Sequence, residues 1–315
     1  MHQYLAIVKR LIRTAGWDKR LTFLMLLSSA AYNLATLLPP LATAGIIRMI
    51  TEENYLGIFP YALLCAAFYA IYFLFMRLNY YSYMKIAEFY HISVQRKIFK
   101  YVDAHPDLLK KFPRGRIMDT FSDDIRWVVD AMNSIIEALI RLVQLIIIFI
   151  IFIHYDFLVA ALAILIDLAY LTLLNINARE EAKRYANARR AEDLAISSFN
   201  ELIEKRLKSA SRSTTLEREK LEKSYTPWLR EYRKRRRAIT NRYSAMPIVP
   251  YAGKIILYLL LAQFVLGGKM TLDLLILLIS YFELTITCTD KLQVHLLDLV
   301  NYGVRISRIE RLIRG

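Results

Sequence analysis

Apolar residues in this chain gather into blocks separated by strongly polar stretches. A helix needs about 20 apolar residues to cross a bilayer, and six blocks meet that length: roughly 21–50, 56–77, 132–153, 157–176, 245–266 and 271–292. The densest runs, 145–153 and 255–262, are almost wholly Leu, Ile and Phe or Tyr. The first block carries Pro39 and Pro40 in its interior. The pattern predicts an all-α membrane protein with six transmembrane helices. The connections alternate in length. Those after the first, third and fifth blocks are a few residues, whereas 78–131 and 177–244 are long. The long ones are not linkers, because apolar residues recur at helical spacing in both. In the first these are Ile86, Phe89, Tyr90, Val94, Ile98 and Tyr101; in the second, Ala191, Leu194, Phe199, Leu202 and Leu207. Two long helical hairpins projecting beyond the membrane are expected.

Charge assigns the sides. The short turns at 51–55 and 154–156 hold no Lys or Arg, and the one at 267–270 holds only Lys269. The opposite side holds Lys9, Arg10, Arg13, Lys19 and Arg20, then Arg96, Lys97, Lys100, Lys110, Lys111, Arg114 and Arg116, then the run at 233–237. Basic loops stay inside, so both termini and both hairpins are expected in the cytoplasm of a multi-pass protein of the cell membrane. The net charge of +15 is then a property of topology. With the apolar blocks, that excludes a soluble nucleic-acid binder.

Composition adds little further chemistry. With 9 glycines and 8 prolines in 315 residues, helices dominate. Cys65 and Cys288 both lie in apolar blocks and read as packing residues. His2, His91, His105, His154 and His295 are scattered and match no metal or catalytic spacing, so neither a metal site nor a membrane-embedded enzyme is expected. At the N-terminus, Lys9, Arg10 and Arg13 interrupt the apolar stretch, unlike a cleavable signal. Tyr4, Leu5, Val8, Leu11 and Ile12 form a stripe there. Residues 1–20 thus read as an amphipathic interfacial helix ahead of a 21–315 membrane domain, or as the first turn of the bundle.

Away from the block ends, five charged residues fall inside the blocks: Glu137, Arg141, Asp167, Lys254 and Glu283. Glu137 and Arg141 stand one helical turn apart and can pair. Lys254 has two possible partners, Asp167 and Glu283. Ionisable groups at membrane depth are functional candidates by default. Glu283, flanked by Tyr281, Phe282 and Thr285, is expected to line a substrate pathway, with Asp167 and Lys254 as further candidates. An acid there favours a cationic cargo. In the first long connection His105, Pro106 and Asp107 signal a helix start, and Pro113 to Gly115 a stop. Either a helix of one to two turns or a capped loop lies between them.

This layout resembles the transmembrane domain of ABC exporters of the multidrug, peptide and lipid type. The local matches are the stretch from Phe112 through Gly115 to Asp124 and Ile125, the turn Gly267-Gly268-Lys269-Met270-Thr271, and the run Arg305-Ile306-Ser307-Arg308-Ile309. The resemblance implies a specific division of labour. Asp107, Leu108, Leu109, Lys110, Lys111 and Phe112, with Gly115, form a coupling helix that docks on an ATPase. A second coupling helix is expected near 201–208, around Glu204 and Lys205. A second copy or a paralogous half completes the pathway in the bilayer, with the fourth and fifth helices crossing to the partner. The phosphate-cradling pattern G-x-x-x-x-G-K-[ST] is absent from the 315 residues. Gly253-Lys254 and Gly268-Lys269 lack a glycine five residues earlier, and no LSGGQ-like stretch occurs. No catalytic residue is therefore expected here; ATP and magnesium belong to an ABC ATPase domain or subunit. The alternative is a secondary transporter or channel that works without ATP.

Overall fold

The computed structural model describes residues 18–106, 125–209 and 215–314. Within them the chain forms α1 (Lys19–Ala35), α2 (Leu38–Thr51), α3 (Tyr55–Ala104), α4 (Ile125–Tyr155), α5 (Phe157–Ser209), α6 (Thr215–Ser244), α7 (Ile248–Leu266) and α8 (Leu272–Arg314). Six stretches are long and apolar enough to cross a membrane, the first made of α1 and α2 together. The fold class is the one read from the sequence. Of residues 1–20, expected as the interfacial helix, 1–17 lie outside the described residues, as does the first coupling segment, Asp107 to Phe112 with Gly115; Lys19 and Arg20 begin α1.

Short polar side chains set the helix starts. Asp18 accepts from the backbone N–H groups of Arg20 at 2.9 Å and Leu21 at 3.1 Å, satisfying donors that the first turn leaves open. Asn54 does the same for Gly57 at the head of α3, and Asp156 for Val159 at the head of α5. The turn between α7 and α8 needs a left-handed residue, supplied by Gly268 at φ 69°. Pro39 and Pro40 split the first span. Neither has an N–H, so they fit only at the first positions of a new helix, where α2 places them.

The chain divides into two compact units. One comprises Met1–Asp167 with Gly253–Gly315, the other Leu168–Ala252. In the first, α8 packs most extensively on α4, and α1 and α2 pack on α3. One core cluster joins Met25, Ile86, Tyr90, Val94 and Ile98 to Ile125, Val128, Met132, Tyr302 and Ile306. The buried face of α3 is thus part of the stripe read from the sequence. Phe89, one position off it, is instead exposed. A second cluster joins Leu37, Ile148, Phe152, Ala163, Leu257, Leu261, Leu278 and Phe282.

The other unit holds most of α5, all of α6 and the first residues of α7. Alanines 188, 195 and 238 are buried there, while Leu194 and Phe199, two of the apolar residues that recur at helical spacing, are exposed. Arg235 lies over the Tyr185 ring at 4.5 Å from its centroid. Ion pairs one turn apart line its helices, including Arg189–Glu192 at 2.8 Å and Glu219–Lys223 at 2.7 Å.

Candidate substrate cleft

The break in the first span frees backbone groups at membrane depth, where an unpaired carbonyl is costly. Thr36 N–H and Leu37 N–H turn back to the carbonyls of Asn33 and Leu34, at 3.3 and 3.0 Å. Neighbouring helices supply the remaining donors. Gln144 of α4 donates to Asn33 O at 3.1 Å and to Thr36 Oγ1 at 2.8 Å. Tyr281 of α8 donates its phenolic proton to Leu37 O at 3.1 Å. Behind Gln144 lies a buried polar network. Arg141 donates to Gln144 at 2.9 Å and stands 3.9 Å from Glu137. Glu137 accepts from Ser29 and, at 3.2 Å, from Asn33. The turn spacing of Glu137 and Arg141 does bring them together, and the network they join holds α4 to α1.

A cleft of about 470 Å³ opens at the break. Thr36, Pro39, Pro40 and Thr43 form one wall, and Tyr69 and Tyr72 of α3 another. Ser280, Glu283, Leu284 and Thr287 of α8 close it. The Tyr72 hydroxyl lies 3.3 Å from that of Tyr32, and their rings pack at 5.2 Å. Glu283 pairs with Lys254 of α7. Its Oε1 also accepts from the Tyr258 hydroxyl at 3.2 Å. Lys254 therefore takes Glu283, not Asp167, as its partner.

The other pathway candidates fall elsewhere. Tyr281 and Thr285 are buried to 1% and 0% exposure and turn away from the cleft. The expectation that they flank a ligand beside Glu283 is corrected by helix geometry: two positions along an α-helix rotate a side chain by roughly 200°. Positions three and four away share a face, as Ser280 and Thr287 do with Glu283. Asp167 is buried and accepts from Thr289 Oγ1 at 2.8 and 2.7 Å, and it does not line the cleft. Glu204 and Lys205 are exposed on α5 in the other unit, where Lys205 stands 3.4 Å from Glu201. The sequence reading missed Thr36, Thr43, Tyr69 and Tyr72. The paired prolines were the available signal, since they open the backbone beside which the cleft forms.

Six apolar spans, a broken first helix with a polar-lined cleft at membrane depth, and helices of 50 and 53 residues that outrun any bilayer define a helical transport domain. The profile of the ABC transporter transmembrane region matches residues 22–288, and the chain belongs to that family. No curated protein matches the chain at a significant level.

Proposed function

We propose that this chain forms half of the translocation pathway of an ABC exporter, working by alternating access and driven by an ATPase outside these residues. The observation that carries the reading is the cleft at the break of the first span, in a chain whose family is that of ABC transmembrane regions. The cleft gives cargo a place at membrane depth. The long α3 and α8, which both line it, give ATP-driven motion a path to it. In this reading ATP and magnesium bind on an ABC ATPase domain or subunit, and this chain contributes no catalytic residue. A second copy or a paralogous half completes the pathway. Both termini and the hairpin ends face the cytoplasm, as the charge distribution favours. The segment from Asp107 to Phe112 docks on the ATPase through Leu109 and Phe112, two apolar residues with Lys110 and Lys111 between them in sequence.

The test is transport into inverted membrane vesicles from cells that overproduce the chain together with its ATPase. Uptake of an amphiphilic fluorophore is expected to need ATP, to be blocked by vanadate and to survive a protonophore. Replacing Leu109 and Phe112 with serine is expected to abolish uptake while the chain still inserts and melts normally. Uptake that ignores vanadate and collapses with the protonophore would establish the secondary-transporter alternative instead.

A further inference from the structure

The polar lining of the cleft offers more hydrogen-bond acceptors than free donors. A hydroxyl has one proton to give, and for the four threonine and serine hydroxyls of this cleft that proton is already committed. Thr36 donates to Asn33 O at 2.7 Å and Thr43 to Pro39 O at 3.1 Å. Ser280 donates to Ile276 O at 2.9 Å and Thr287 to Glu283 O at 2.9 Å. What Thr43, Ser280 and Thr287 turn outward is lone pairs. Pro39 and Pro40 have no N–H at all. Tyr32 and Tyr72 share one hydrogen bond, which occupies one of their two protons. Glu283 is the ionised acceptor of the group. Both its contacts, from Lys254 and Tyr258, fall on Oε1, and Oε2 accepts no hydrogen bond among the described residues. The Tyr69 ring, half exposed, and Leu284 supply apolar surface beside these acceptors.

We propose that the cleft binds an amphiphile whose head is a protonated amine or a guanidinium, and that Lys254 competes with that head for Glu283. The binding claim stands on the lining itself; that the bound molecule is exported rests on the function proposed above. An ammonium brings three N–H donors and no acceptor, the complement of this wall. Its bond to Glu283 Oε2 is charge-assisted, the strong kind. A phosphate, sulfate or carboxylate head meets few free donors here, the Tyr69 hydroxyl and the remaining proton of the Tyr32–Tyr72 pair, and faces the Glu283 carboxylate. A quaternary ammonium satisfies the charge and can rest on the Tyr69 ring, yet it leaves the acceptors without partners, and a polar site rejects an analogue that lacks its matching groups. The volume, about 470 Å³, suits a small amphiphile, since ligand sites commonly span roughly 300–1,000 Å³.

The experiment uses the full chain in phosphatidylcholine nanodiscs without an ATPase, with empty nanodiscs subtracted. The probe is a dansylated alkylamine, compared with its N-acetyl and N-trimethyl forms, which keep the same fluorophore. The primary amine is expected to bind saturably and roughly tenfold tighter than either analogue, the loss that follows from one missing charge-assisted hydrogen bond. Glu283→Gln is expected to lose about tenfold in amine affinity. Lys254→Met is expected to gain roughly threefold to fivefold, because a partly exposed ion pair competes weakly. That gain keeps the test decisive if Glu283→Gln fails to fold, since a merely structural lysine would give no tightening. Absence of saturable binding, equal affinity for the acetylated probe, or unchanged or weaker amine binding in Lys254→Met would each overturn the proposal. Amine-selective binding without vanadate-sensitive transport would sink the exporter reading and leave this inference standing. Vanadate-sensitive export of an acidic amphiphile with no amine binding would do the reverse.

Discussion

The Tyr281 hydroxyl reaches the Leu37 carbonyl at 3.1 Å, so a residue of the last helix supports the first span at the point where Pro39 and Pro40 interrupt it. Tyr281 is fully enclosed, so water cannot replace it as donor. Tyr281→Phe keeps the ring and its packing and removes only the donor. It is expected to cost about 1–3 kcal/mol, the penalty for a buried acceptor left without its partner. A thermal melt of the detergent-solubilised chain reads that loss. Tyr281→Leu, which also loses ring volume, is expected to melt lower still. If Tyr281→Phe melts with the wild type, the carbonyl does not depend on this phenol.

Glu137 and Arg141 make a second, independent case. Both are buried, and both bind neighbours besides each other: Ser29 and Asn33 for the acid, Gln144 for the base. Removing one partner of a buried ion pair leaves the other charge uncompensated and commonly costs about 3–5 kcal/mol. Glu137→Gln and Arg141→Met are each expected to be severe, whereas the double variant is expected to cost clearly less than their sum. A double-mutant cycle on unfolding free energy measures the coupling. Strict additivity would show that the pair, 3.9 Å apart, contributes nothing as a pair.

The spans and their order were legible because bilayer thickness imposes a length that composition alone reveals. The pairing of Glu137 with Arg141 was legible because turn spacing suffices when both groups share a helix. The partner of Lys254 was not, since Asp167 and Glu283 sit on different helices and only tertiary packing chooses between them. Tyr281 and Thr285 were misplaced for a local reason: proximity in sequence was taken for proximity in space, while the helix turns them to the opposite side from Glu283. Leu194 and Phe199 show a further limit. Their spacing is that of a packed face, yet the buried positions around them are alanines, where helices can approach closely. The contributions of α3 to the cleft, Tyr69 and Tyr72, carried no signal of their own, because an aromatic in an apolar span reads equally as lipid-facing.

Orientation gives a direct prediction. The caps at Asn54 and Asp156 sit in short turns poor in basic residues, whereas Arg230, Arg233 and Arg237 are exposed on α6. In a variant without Cys65 and Cys288, a cysteine at Thr51 or His154 is expected to react with an impermeant maleimide added to intact cells. One at Lys223 is expected to react only after permeabilisation. Labelling of Lys223→Cys from outside would invert the topology.

The last prediction concerns how α7 comes close enough to α8 for Lys254 to reach Glu283. The neighbouring residue, Gly253, faces Ile166 on α5. A Cβ built on Gly253 would stand 2.4 Å from Ile166 Cγ2 and 2.9 Å from Cγ1, well inside contact distance. Ile166 is buried and β-branched, so its side chain has few rotamers to escape into. Gly253→Ala must therefore push α7 away or force Ile166 off its rotamer, and overpacking of this kind commonly costs about 1–3 kcal/mol. Because Lys254 follows directly, the displacement is expected to weaken its pairing with Glu283 as well as stability. Trimming the obstacle separates this from a loss of backbone freedom, since Gly253 does not adopt a positive φ. Gly253→Ala combined with Ile166→Ala is expected to melt above Gly253→Ala alone, despite losing a buried side chain. If the double variant instead melts at or below the sum of the two single losses, the close approach of α5 and α7 at this glycine is not what limits the fold there.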